Sequence, residues 1–521
     1  MNSGRRSLLP LSALSRLDPR QRSHLFQRGA RNAFWNTSDY IVLPLLFLLA
    51  TPFLVSRLGT EQFGIWMLVN ALTGMLSVMH FGLGDATVKY VSKYRAREDW
   101  QSVVQVVRST QTVYGSLGIL SATAICLCAG SLAHHVFKIE SSHQGLAIAA
   151  IRIGAIGLVL RFFNNVFAAA LQGFERYDLS ARVTIITKAA TIGSIVVAVA
   201  VGYGLEVVLW LSVLCAAGGA VALAFVAKWL IPTLRFWPIL DREALREVFG
   251  FGFYSWLSAI AGTIFSQADV LLVGVLLGTV AVTYYSVCQK LAMQVHALLA
   301  AGSAFLFPMS SVAAERGDLR QMHRIYTGAL SLIGVLSAAI GVPLFLFSES
   351  ILTHWMGADF ALHASGLLKI LVFGYALLAT SIVPFNVLNG TGRVRANMVF
   401  AWLTLLIVIA GIFALVPMGG LAGVAWAKVL NIGPLLVAMA YVQRKVLREM
   451  SWTTILVPFL PVLFLFGLAQ LLLGFYGNPH LNNLITLGGV ILGSMALAGI
   501  LGSLLQWVVK IGYVSMSQST G

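Results

Sequence analysis

Charged side chains are scarce in this chain. Only 10% of its 521 residues are Asp, Glu, Lys or Arg, whereas 58% are hydrophobic and the mean hydropathy is +0.85. Ordinary globular domains carry about 25% charged residues. A water-soluble protein of this length could not cover its surface with so few charges, so the scarcity excludes the soluble classes. It predicts an all-α polytopic membrane protein.

Cysteines and nucleotide-binding motifs are also few or missing. The four cysteines all lie in apolar stretches, and we expect no disulfide between them: Cys126, Cys128, Cys215 and Cys288. No Walker A motif (GxxxxGK followed by Ser or Thr) occurs, which excludes that type of ATP site. No cluster of His, Cys, Asp and Glu has metal-ligand spacing. We predict neither a metal nor a cofactor.

Long polar loops are missing too. The longest predicted outer loops, near 134–145 and 348–364, are short and hold no pair of carboxylates placed for acid–base chemistry. An enzyme, such as a membrane glycosyltransferase or polymerase, is therefore the least favoured function. Residues 1–33 have seven arginines but no long apolar core. They are predicted to form a cytosolic basic tail rather than a cleaved signal peptide.

Long apolar stretches are what the chain has in abundance. A membrane-spanning helix needs about 20 mostly apolar residues, and fourteen such stretches can be counted. Spans 1 to 14 are predicted at 34–56, 61–82, 110–133, 146–171, 180–202, 206–231, 249–277, 280–307, 325–347, 365–388, 396–417, 420–442, 452–475 and 482–508.

Basic residues are distributed unevenly between the loops. The connections from odd to even spans have almost no Lys or Arg beyond Arg57 and Lys138, whereas those from even to odd spans are rich in both. By the positive-inside rule, both termini are predicted to lie in the cytoplasm. The formal net charge of +16 therefore reflects membrane topology, and nucleic acid is not predicted as a partner.

An internal repeat is the second prominent feature. Because six spans separate the copies, both halves insert the same way and should be related by an axis along the membrane normal. Four patterns recur in order at offsets of 219, 219, 217 and 216 residues: Leu58-Gly59-Thr60 as Leu277-Gly278-Thr279, Arg97 and Asp99 as Arg316 and Asp318, Leu171-Gln172-Gly173 as Leu388-Asn389-Gly390, and Gly204-Leu205 as Gly420-Leu421.

The repeat predicts the domain organisation. We expect an N-lobe of spans 1–6 at 34–231, a cytosolic linker at 232–247 and a C-lobe of spans 7–12 at 248–445. Spans 13 and 14 and a short cytosolic tail, 446–521, lie outside the repeat, and prolines should bend span 13. The predicted architecture is thus two pseudo-symmetric six-helix lobes plus two C-terminal helices.

Several short motifs resemble those of a transporter family. They are Arg57-Leu58-Gly59-Thr60-Glu61-Gln62-Phe63-Gly64, Phe81-Gly82-Leu83-Gly84, Asp269 ahead of Gly274, Tyr285 with Gln289-Lys290, Pro308, and Asn389-Gly390-Thr391-Gly392-Arg393. Their order, over most of residues 34–445, resembles the Wzx-type polysaccharide flippases of the multidrug/oligosaccharidyl-lipid/polysaccharide superfamily. The lipid II flippase MurJ and the MATE drug exporters are more distant relatives.

This resemblance implies a MATE-like fold with two lobes around a central cavity. It also implies a cargo, a polyprenyl-diphosphate-linked oligosaccharide for O-antigen, capsule or exopolysaccharide synthesis. The cargo would be flipped from the cytoplasmic to the outer leaflet of the bacterial inner membrane by alternating access. The implied partners are this glycan, membrane lipid, H⁺ or Na⁺ as coupling ion, and polysaccharide polymerase or export machinery.

Charges within spans indicate candidate sites, because each costs roughly 2.5 to 3.5 kcal/mol on insertion scales. Arg161 lies near the middle of span 4, and Asn164, Asn165 and Gln172 lie near its face at about 100° per residue. Such a polar stripe should face a cavity, and a guanidinium pairs well with phosphate. We hypothesise that Arg161 binds the diphosphate. The alternative is a structural arginine bonded to carbonyls of a broken helix.

Asp269 and Lys290 form the second candidate site. They lie at similar depths on either side of the turn between spans 7 and 8, and the repeat places alanines at both positions in the other lobe. They can form an ion pair that is purely structural. They can also belong to an ion-coupling site together with Gln289 and His296.

Asp39 in span 1 and Lys188 in span 5 lie nearer the cytoplasmic side, where each can line the cavity or reach interfacial water. Lys428 in span 12 has no assigned role. Two of the eight candidate charges within spans are acidic, Asp39 and Asp269, and six are basic: Arg152, Arg161, Lys188, Lys290, Lys369 and Lys428. This balance suits an anionic cargo. A MATE-like drug or cation antiporter, whose cavity should be acidic or aromatic, is the competing transporter hypothesis.

Overall fold

The computed structural model describes residues 19–80, 83–235, 237, 239 and 241–476. Within those residues every regular element is helical and no strand occurs. The α-helices are Pro19–Leu76, Leu83–Arg95, Trp100–Ser131, Gln144–Gly173, Tyr177–Val201, Leu205–Leu230, Arg242–Leu277, Thr279–Gly302, Leu306–Glu315, Leu319–Leu346, Ser348–Met356, Ala358–Ala379, Ile382–Gly390, Val394–Val429, Ile432–Val442, Trp452–Leu456 and Leu460–Tyr476.

Thirteen of the fourteen predicted spans have a helical counterpart. In the described chain, ten helical stretches are long and apolar enough to cross a membrane, and the bent pair Thr279–Gly302 and Leu306–Glu315 makes an eleventh. Two of these stretches each hold two spans, separated by Gly59 and by Gly420, whose φ and ψ are non-helical. Span 14 lies outside the described residues. The all-α, multi-span prediction is confirmed.

The internal repeat is visible in the backbone of the two Leu-Gly-Thr motifs. Gly59 and Gly278 have φ of 82° and 85° with ψ of 161° and 177°. Only glycine adopts this region without strain. The same backbone requirement therefore explains the glycine between the first two spans of each lobe.

A second repeated motif sets the start of the third span in each lobe. Asp99 and Asp318 are the N-caps of the span 3 and span 9 helices. Their carboxylates accept hydrogen bonds from the backbone N–H groups of Ser102 and Gln321, at 3.0 and 2.8 Å. Each cap satisfies a donor that has no partner within the helix.

The connection between spans 2 and 3 differs from the prediction. The sequence predicted a basic loop there and a start of span 3 near residue 110. The structure instead has a helix at Leu83–Arg95, begins the span 3 helix at Trp100 and leaves only a turn at 96–99. Hydropathy marks only the part of a helix that crosses the apolar core, so helical turns beyond that core were interpreted as loop.

The two lobes contact each other near their Leu-Gly-Thr turns. The Thr283 hydroxyl donates a hydrogen bond to the Thr60 carbonyl. A Cβ on Gly64 would lie 2.0 Å from the Thr279 carbonyl oxygen, and one on Gly274 would lie 2.4 Å from an N-lobe side chain. Glycines therefore let helices of the two lobes approach closely at this end of the molecule.

Span 13 packs against the C-lobe and is interrupted in the segment that holds its prolines. The short helix Trp452–Leu456 gives way to a 3-10 turn and then to the helix Leu460–Tyr476. The ring of Phe466 contacts those of Phe345 and Phe373, with centroids 5.2 and 5.3 Å apart. These contacts place span 13 against spans 9 and 10.

Candidate functional site

A cavity of about 550 Å³ lies within the N-lobe, between spans 1, 2, 4, 5 and 6. Four predicted site residues line it, namely Arg161, Asn164, Asn165 and Lys188. Its other polar lining residues carry amides or hydroxyls: Asn70, Thr73, Thr184, Thr187, Thr191 and Ser212. The structure thus places most of the polar stripe of span 4 against a cavity rather than against lipid.

Arg161 projects from the span 4 helix, Gln144–Gly173, and its side chain is exposed in this cavity. Among the described residues it has no hydrogen-bond or ion-pair partner. Asn164 donates a hydrogen bond to the carbonyl of Ala216 on span 6, at 3.3 Å, and so joins two walls of the cavity. The guanidinium is therefore held by its helix while its N–H donors remain available to a ligand.

The described lining of the N-lobe cavity contains two cations and no carboxylate. Lys188 stands on span 5 among Thr184, Thr187 and Thr191, which all line the cavity. Residues three and four apart share one face of a helix. This threonine row was not recognised in the sequence, although its spacing within an apolar span is a visible signal.

Gln172 is the predicted residue that the described lining does not include. It is half-buried near the end of span 4 and does not border the cavity. The prediction for Asp39 concerns a side chain outside the described residues. Among the described side chains, the cluster that the fold assembles consists of Arg161, Asn164, Asn165 and Lys188.

A buried network surrounds Asp269 in the C-lobe. Lys428 Nζ lies 2.8 Å from Asp269 Oδ2, and the Tyr285 hydroxyl and Gln289 Nε2 donate to the same oxygen at 2.6 and 2.7 Å. The backbone N–H of Val270 donates to Oδ1 at 2.9 Å. All of these side chains are buried, so the two opposite charges are withdrawn from water and neutralise each other.

Lys290 is not the partner of Asp269, which corrects the predicted pair. Its ammonium lies 3.7 Å from the ring centroid of Phe47 on span 1, across the contact between the lobes. Equal depth in the membrane does not fix side-chain direction. Because Gln289 contacts Asp269, the next residue points about 100° away around the helix.

Sequence reasoning left Lys428 without a role. It stands at the end of the helix Val394–Val429, and its Nζ also donates to the carbonyl of Phe265 at 3.0 Å. A signal was present, because a lysine deep in an apolar span needs a counter-charge. Asp269 was the acidic residue already noted within the spans of the same lobe.

The C-lobe contains a second cavity, of about 510 Å³. Its described walls include no Lys, Arg, Asp or Glu, and His296 lies in them rather than among the contacts of Asp269. The lining combines aromatic rings with small polar groups: Phe265, Phe385, Phe400, Ser381, Asn386, Asn397, Thr404 and Asn431.

The two cavities are related by the internal repeat. Arg161 in the N-lobe cavity corresponds to the apolar Leu378 in the C-lobe cavity, so equivalent positions in the two lobes differ in chemistry. Seven positions of the first lining have a counterpart 217 residues later in the second: Arg161 and Leu378, Asn164 and Ser381, Asn165 and Ile382, Ala168 and Phe385, Val183 and Phe400, Thr184 and Ala401, and Thr187 and Thr404.

Three side chains that can bind metal meet in the N-lobe near its Leu-Gly-Thr turn. Glu61 follows that turn, and Glu140 and His143 belong to the segment between spans 3 and 4. Their ligand atoms lie within 4.8 Å of one another, and His143 Nδ1 lies 3.2 Å from Glu61 Oε2. The sequence showed no such group because only the fold brings the two segments together.

A family model described as "Polysaccharide biosynthesis protein" matches residues 54–365, which is more than half of the chain. The chain belongs to the polysaccharide biosynthesis protein family. This family member is 20% identical over 420 residues to the "Putative O-antigen transporter" of Shigella flexneri, covering 79% of this chain and 97% of that protein. It is 24% identical over 390 residues to the "Probable low-salt glycan biosynthesis flippase Agl15" of Haloferax volcanii, and the match covers 74% of this chain and 76% of that protein.

Among solved structures, this polysaccharide biosynthesis protein resembles a multidrug resistance MATE family transporter of the MOP superfamily in its inward-facing conformation. The TM-score is 0.66 at 16% identity, and the match covers 84% of this chain and 99% of that chain. At this identity the likeness concerns the fold alone. The predictions of a MATE-like fold and of kinship with polysaccharide flippases are both confirmed, and the chain is a multi-pass membrane protein.

Proposed function

We propose that the protein flips a polyprenyl-diphosphate-linked oligosaccharide from the cytoplasmic to the outer leaflet of the bacterial inner membrane. The observation that carries this proposal is the N-lobe cavity, whose described lining has Arg161 and Lys188 but no carboxylate. Two cations in a cavity inside the bilayer suit a diphosphate, whose oxygens are negatively charged. Membership of the polysaccharide biosynthesis protein family supports a glycan as the rest of the cargo.

Arg161 is the proposed ligand of the diphosphate. Its planar guanidinium can hold two phosphate oxygens at once, and Asn165, four residues later, adds an amide on the same helical face. Lys188 contributes a second positive charge from span 5. Because these residues all belong to the N-lobe, the head group would stay with that lobe while the lobes move relative to each other.

Asp269 is the proposed coupling site, and its contacts favour H⁺ over Na⁺. Its carboxylate is surrounded by four donors, whereas a hard cation needs several oxygen ligands. Protonation would neutralise Asp269 and leave Lys428 buried without a counter-charge. Losing one partner of a buried pair costs about 3–5 kcal/mol, which is enough to shift a conformational equilibrium.

The proposed orientation places both termini in the cytoplasm, because the basic loops then lie inside. The cationic cavity would then receive its cargo from the cytoplasmic leaflet. Membrane lipid and polysaccharide polymerase or export machinery are the proposed partners besides the glycan. Flipping breaks no covalent bond in the cargo, so the protein is proposed to act as a transporter and not as an enzyme.

Flipping in liposomes tests the proposal. A fluorescent prenyl-diphosphate-linked N-acetylglucosamine is incorporated with the purified protein, and its arrival in the opposite leaflet is followed by quenching. Arg161→Ala is expected to lower the rate about tenfold or more, because charge-assisted hydrogen bonds contribute about 1.5–3 kcal/mol. Arg161→Lys keeps the charge and should retain more activity.

Arg152→Ala is the matched control for this experiment. Arg152 lies nine residues before Arg161 on the same helix, hence on the opposite face, and its side chain is exposed. This variant should flip at the wild-type rate. Wild-type flipping by Arg161→Ala would refute the head-group site.

A drug or cation antiporter is the second candidate, and the aromatic wall of the C-lobe cavity is the observation that favours it. Phe265, Phe385 and Phe400 line that cavity, and aromatic faces attract organic cations. A drug-susceptibility panel, run beside a polysaccharide assay in a flippase-deficient strain, separates the two functions. Drug resistance without restored polysaccharide would favour the antiporter.

A further inference from the structure

We propose that the C-lobe cavity binds a neutral sugar ring of the lipid-linked oligosaccharide. The inference rests on the proposed function, because it assigns a second part of the same cargo. The N-lobe cavity would hold the diphosphate and the C-lobe cavity would hold the glycan. Each lobe would then recognise one chemical feature, negative charge in the first and hydroxyl groups on an apolar ring in the second.

Asn431 provides the most specific observation. Its side chain lines the C-lobe cavity and is only 2% exposed. Its Nδ2 donates to the carbonyl of Lys428 at 2.8 Å, whereas its Oδ1 has no donor among the described residues. A buried acceptor without a donor is costly. A sugar hydroxyl entering the cavity would supply the missing hydrogen bond.

Two other asparagines, Asn386 and Asn397, also line this cavity. Asn386 Nδ2 donates to the Ile382 carbonyl at 2.8 Å, and Asn397 Nδ2 donates to Asn389 Oδ1 at 3.1 Å. These bonds fix both amides and leave their Oδ1 atoms for a ligand. A hydrocarbon chain in this cavity would remove the amide oxygens from water without replacing the hydrogen bonds, so the lining favours a hydroxyl-rich ligand over a prenyl chain.

The aromatic part of the wall fits the other side of a sugar. Phe385 and Phe400 line the cavity and offer apolar surfaces against which the C–H face of a pyranose ring can pack. Small-molecule sites are typically apolar with a few placed polar groups, and their volumes run from roughly 300 to 1,000 Å³. The cavity, at about 510 Å³, can hold one or two sugar rings.

Three helical spans depart from a regular α-helix where they border this cavity. Span 8 bends by 43° between Thr279–Gly302 and Leu306–Glu315, at a turn that holds Ala304. In spans 10 and 12 the backbone N–H groups of Ser381 and Asn431 bond to carbonyls three residues back, at 2.9 and 3.3 Å. Ala304, Ser381 and Asn431 all line the cavity. The N-lobe counterparts of spans 10 and 12 are the unbroken helices Gln144–Gly173 and Leu205–Leu230. Irregular helix at membrane depth is tolerated where it lines a cavity that holds water or a polar ligand. These irregular turns thus support a polar ligand in the C-lobe cavity.

Two lining residues of the cavity are hydrogen-bonded to Lys428 of the buried ion pair. Asn431 Nδ2 donates to the Lys428 carbonyl, and Lys428 Nζ donates to the Phe265 carbonyl. Both Asn431 and Phe265 line the cavity. A sugar bound there would touch residues that hold the counter-ion of Asp269. Sugar binding and protonation would therefore act on the same part of span 12.

A matched set of probes tests the sugar site. They are farnesyl diphosphate and its conjugates with glucose, galactose or N-acetylglucosamine, each titrated into the full-length protein in lipid nanodiscs. At least one conjugate is expected to bind about fivefold more tightly than farnesyl diphosphate, the effect of about one net hydrogen bond. Asn431→Leu, which removes the acceptor at similar size, should abolish this gain and leave the affinity for farnesyl diphosphate unchanged.

Two further variants keep the test decisive. Phe385 is 52% exposed, so Phe385→Leu should fold normally and should also reduce the sugar gain by removing ring contact. Arg161→Ala should weaken all four probes by a similar factor, because it acts on their common diphosphate.

The possible failures are distinguishable. If farnesyl diphosphate binds through Arg161 but no conjugate binds more tightly, the sugar site is refuted and the proposed function stands. If farnesyl diphosphate does not bind at all, the proposed function itself is contradicted. If Asn431→Leu and Phe385→Leu both change the affinity for farnesyl diphosphate, the cavity holds the prenyl chain and the sugar assignment is wrong.

Discussion

Single charged residues are accommodated within this membrane protein in two different ways. Asp269 and Lys428 are buried together and neutralise each other, with hydrogen bonds from neutral neighbours. Arg161 is exposed in a cavity and has no partner among the described residues. The first arrangement suits a switch that responds to one proton, and the second suits a site that receives an anionic ligand.

At the residue scale, removing one partner of the buried pair should be worse than removing both. Lys428→Met leaves Asp269 buried without its counter-ion and should destabilise the protein by about 3–5 kcal/mol. The double variant with Asp269→Asn should recover most of this loss. Thermal unfolding in detergent measures both effects.

The same double variant tests the proposed coupling, because it should keep the fold while it removes the Asp269 carboxylate. Its flipping in liposomes should no longer respond to an imposed pH gradient. A response equal to that of the wild type would exclude Asp269 as the coupling residue and leave the ion pair with a structural role alone.

Equivalent helices in the two lobes begin or end at the same short motifs. The repeated aspartate caps a helix, and the repeated glycine supplies a backbone conformation that other residues avoid. The repeat therefore preserves helix ends, whereas the residues that face the cavities have diverged.

At the element scale, loss of one of these caps should have a measurable cost. Asp318→Ala removes the carboxylate that accepts from the Gln321 N–H and should destabilise the protein by about 1 kcal/mol. Asp318→Asn can accept the same bond and serves as the control in thermal unfolding. Equal unfolding midpoints for the two variants would contradict the capping role.

The close packing between the lobes leads to a second prediction at this scale. Gly64→Val would place atoms against the Thr279 carbonyl, 2.0 Å from the position of the new Cβ, and should force the lobes apart at that end. Flipping is expected to fall several-fold. Gly130→Val, in span 3 with nothing within 4 Å of its Cβ position, should flip normally and controls for the loss of a helical glycine.

The whole molecule combines a pseudo-symmetric scaffold with two cavities of different polarity. The described lining of the N-lobe cavity includes two cations, and that of the C-lobe cavity includes aromatic rings and amides. The proposed cargo would match this difference between the cavities, because its diphosphate is charged and its glycan is neutral. Under the proposed alternating access, the lobes would separate where they now touch, near Thr60 and Thr283.

At the scale of the molecule, a cross-link between the lobes should stop transport. The test introduces Thr60→Cys and Thr283→Cys together into a variant without the four native cysteines. This double-cysteine protein should stop flipping after treatment with a short thiol cross-linker and should flip again on reduction. A pair within one lobe, Arg95→Cys with Glu175→Cys, whose parent side chains lie 2.7 Å apart, should tolerate cross-linking. Full activity of the cross-linked Thr pair would argue against rocking of the lobes at this contact.

The sequence by itself determined the features that depend on local pattern. About 20 apolar residues suffice to mark a span, glycine and aspartate mark the repeated turns and caps, and helical periodicity placed Arg161, Asn164 and Asn165 on one face. The tertiary structure alone decided which distant residues meet. It paired Asp269 with Lys428 instead of Lys290, collected the amides of the C-lobe cavity, and left Asn431 Oδ1 buried without a described donor. Side-chain direction and helix packing determine such contacts, and neither follows from hydropathy or from depth along a single helix.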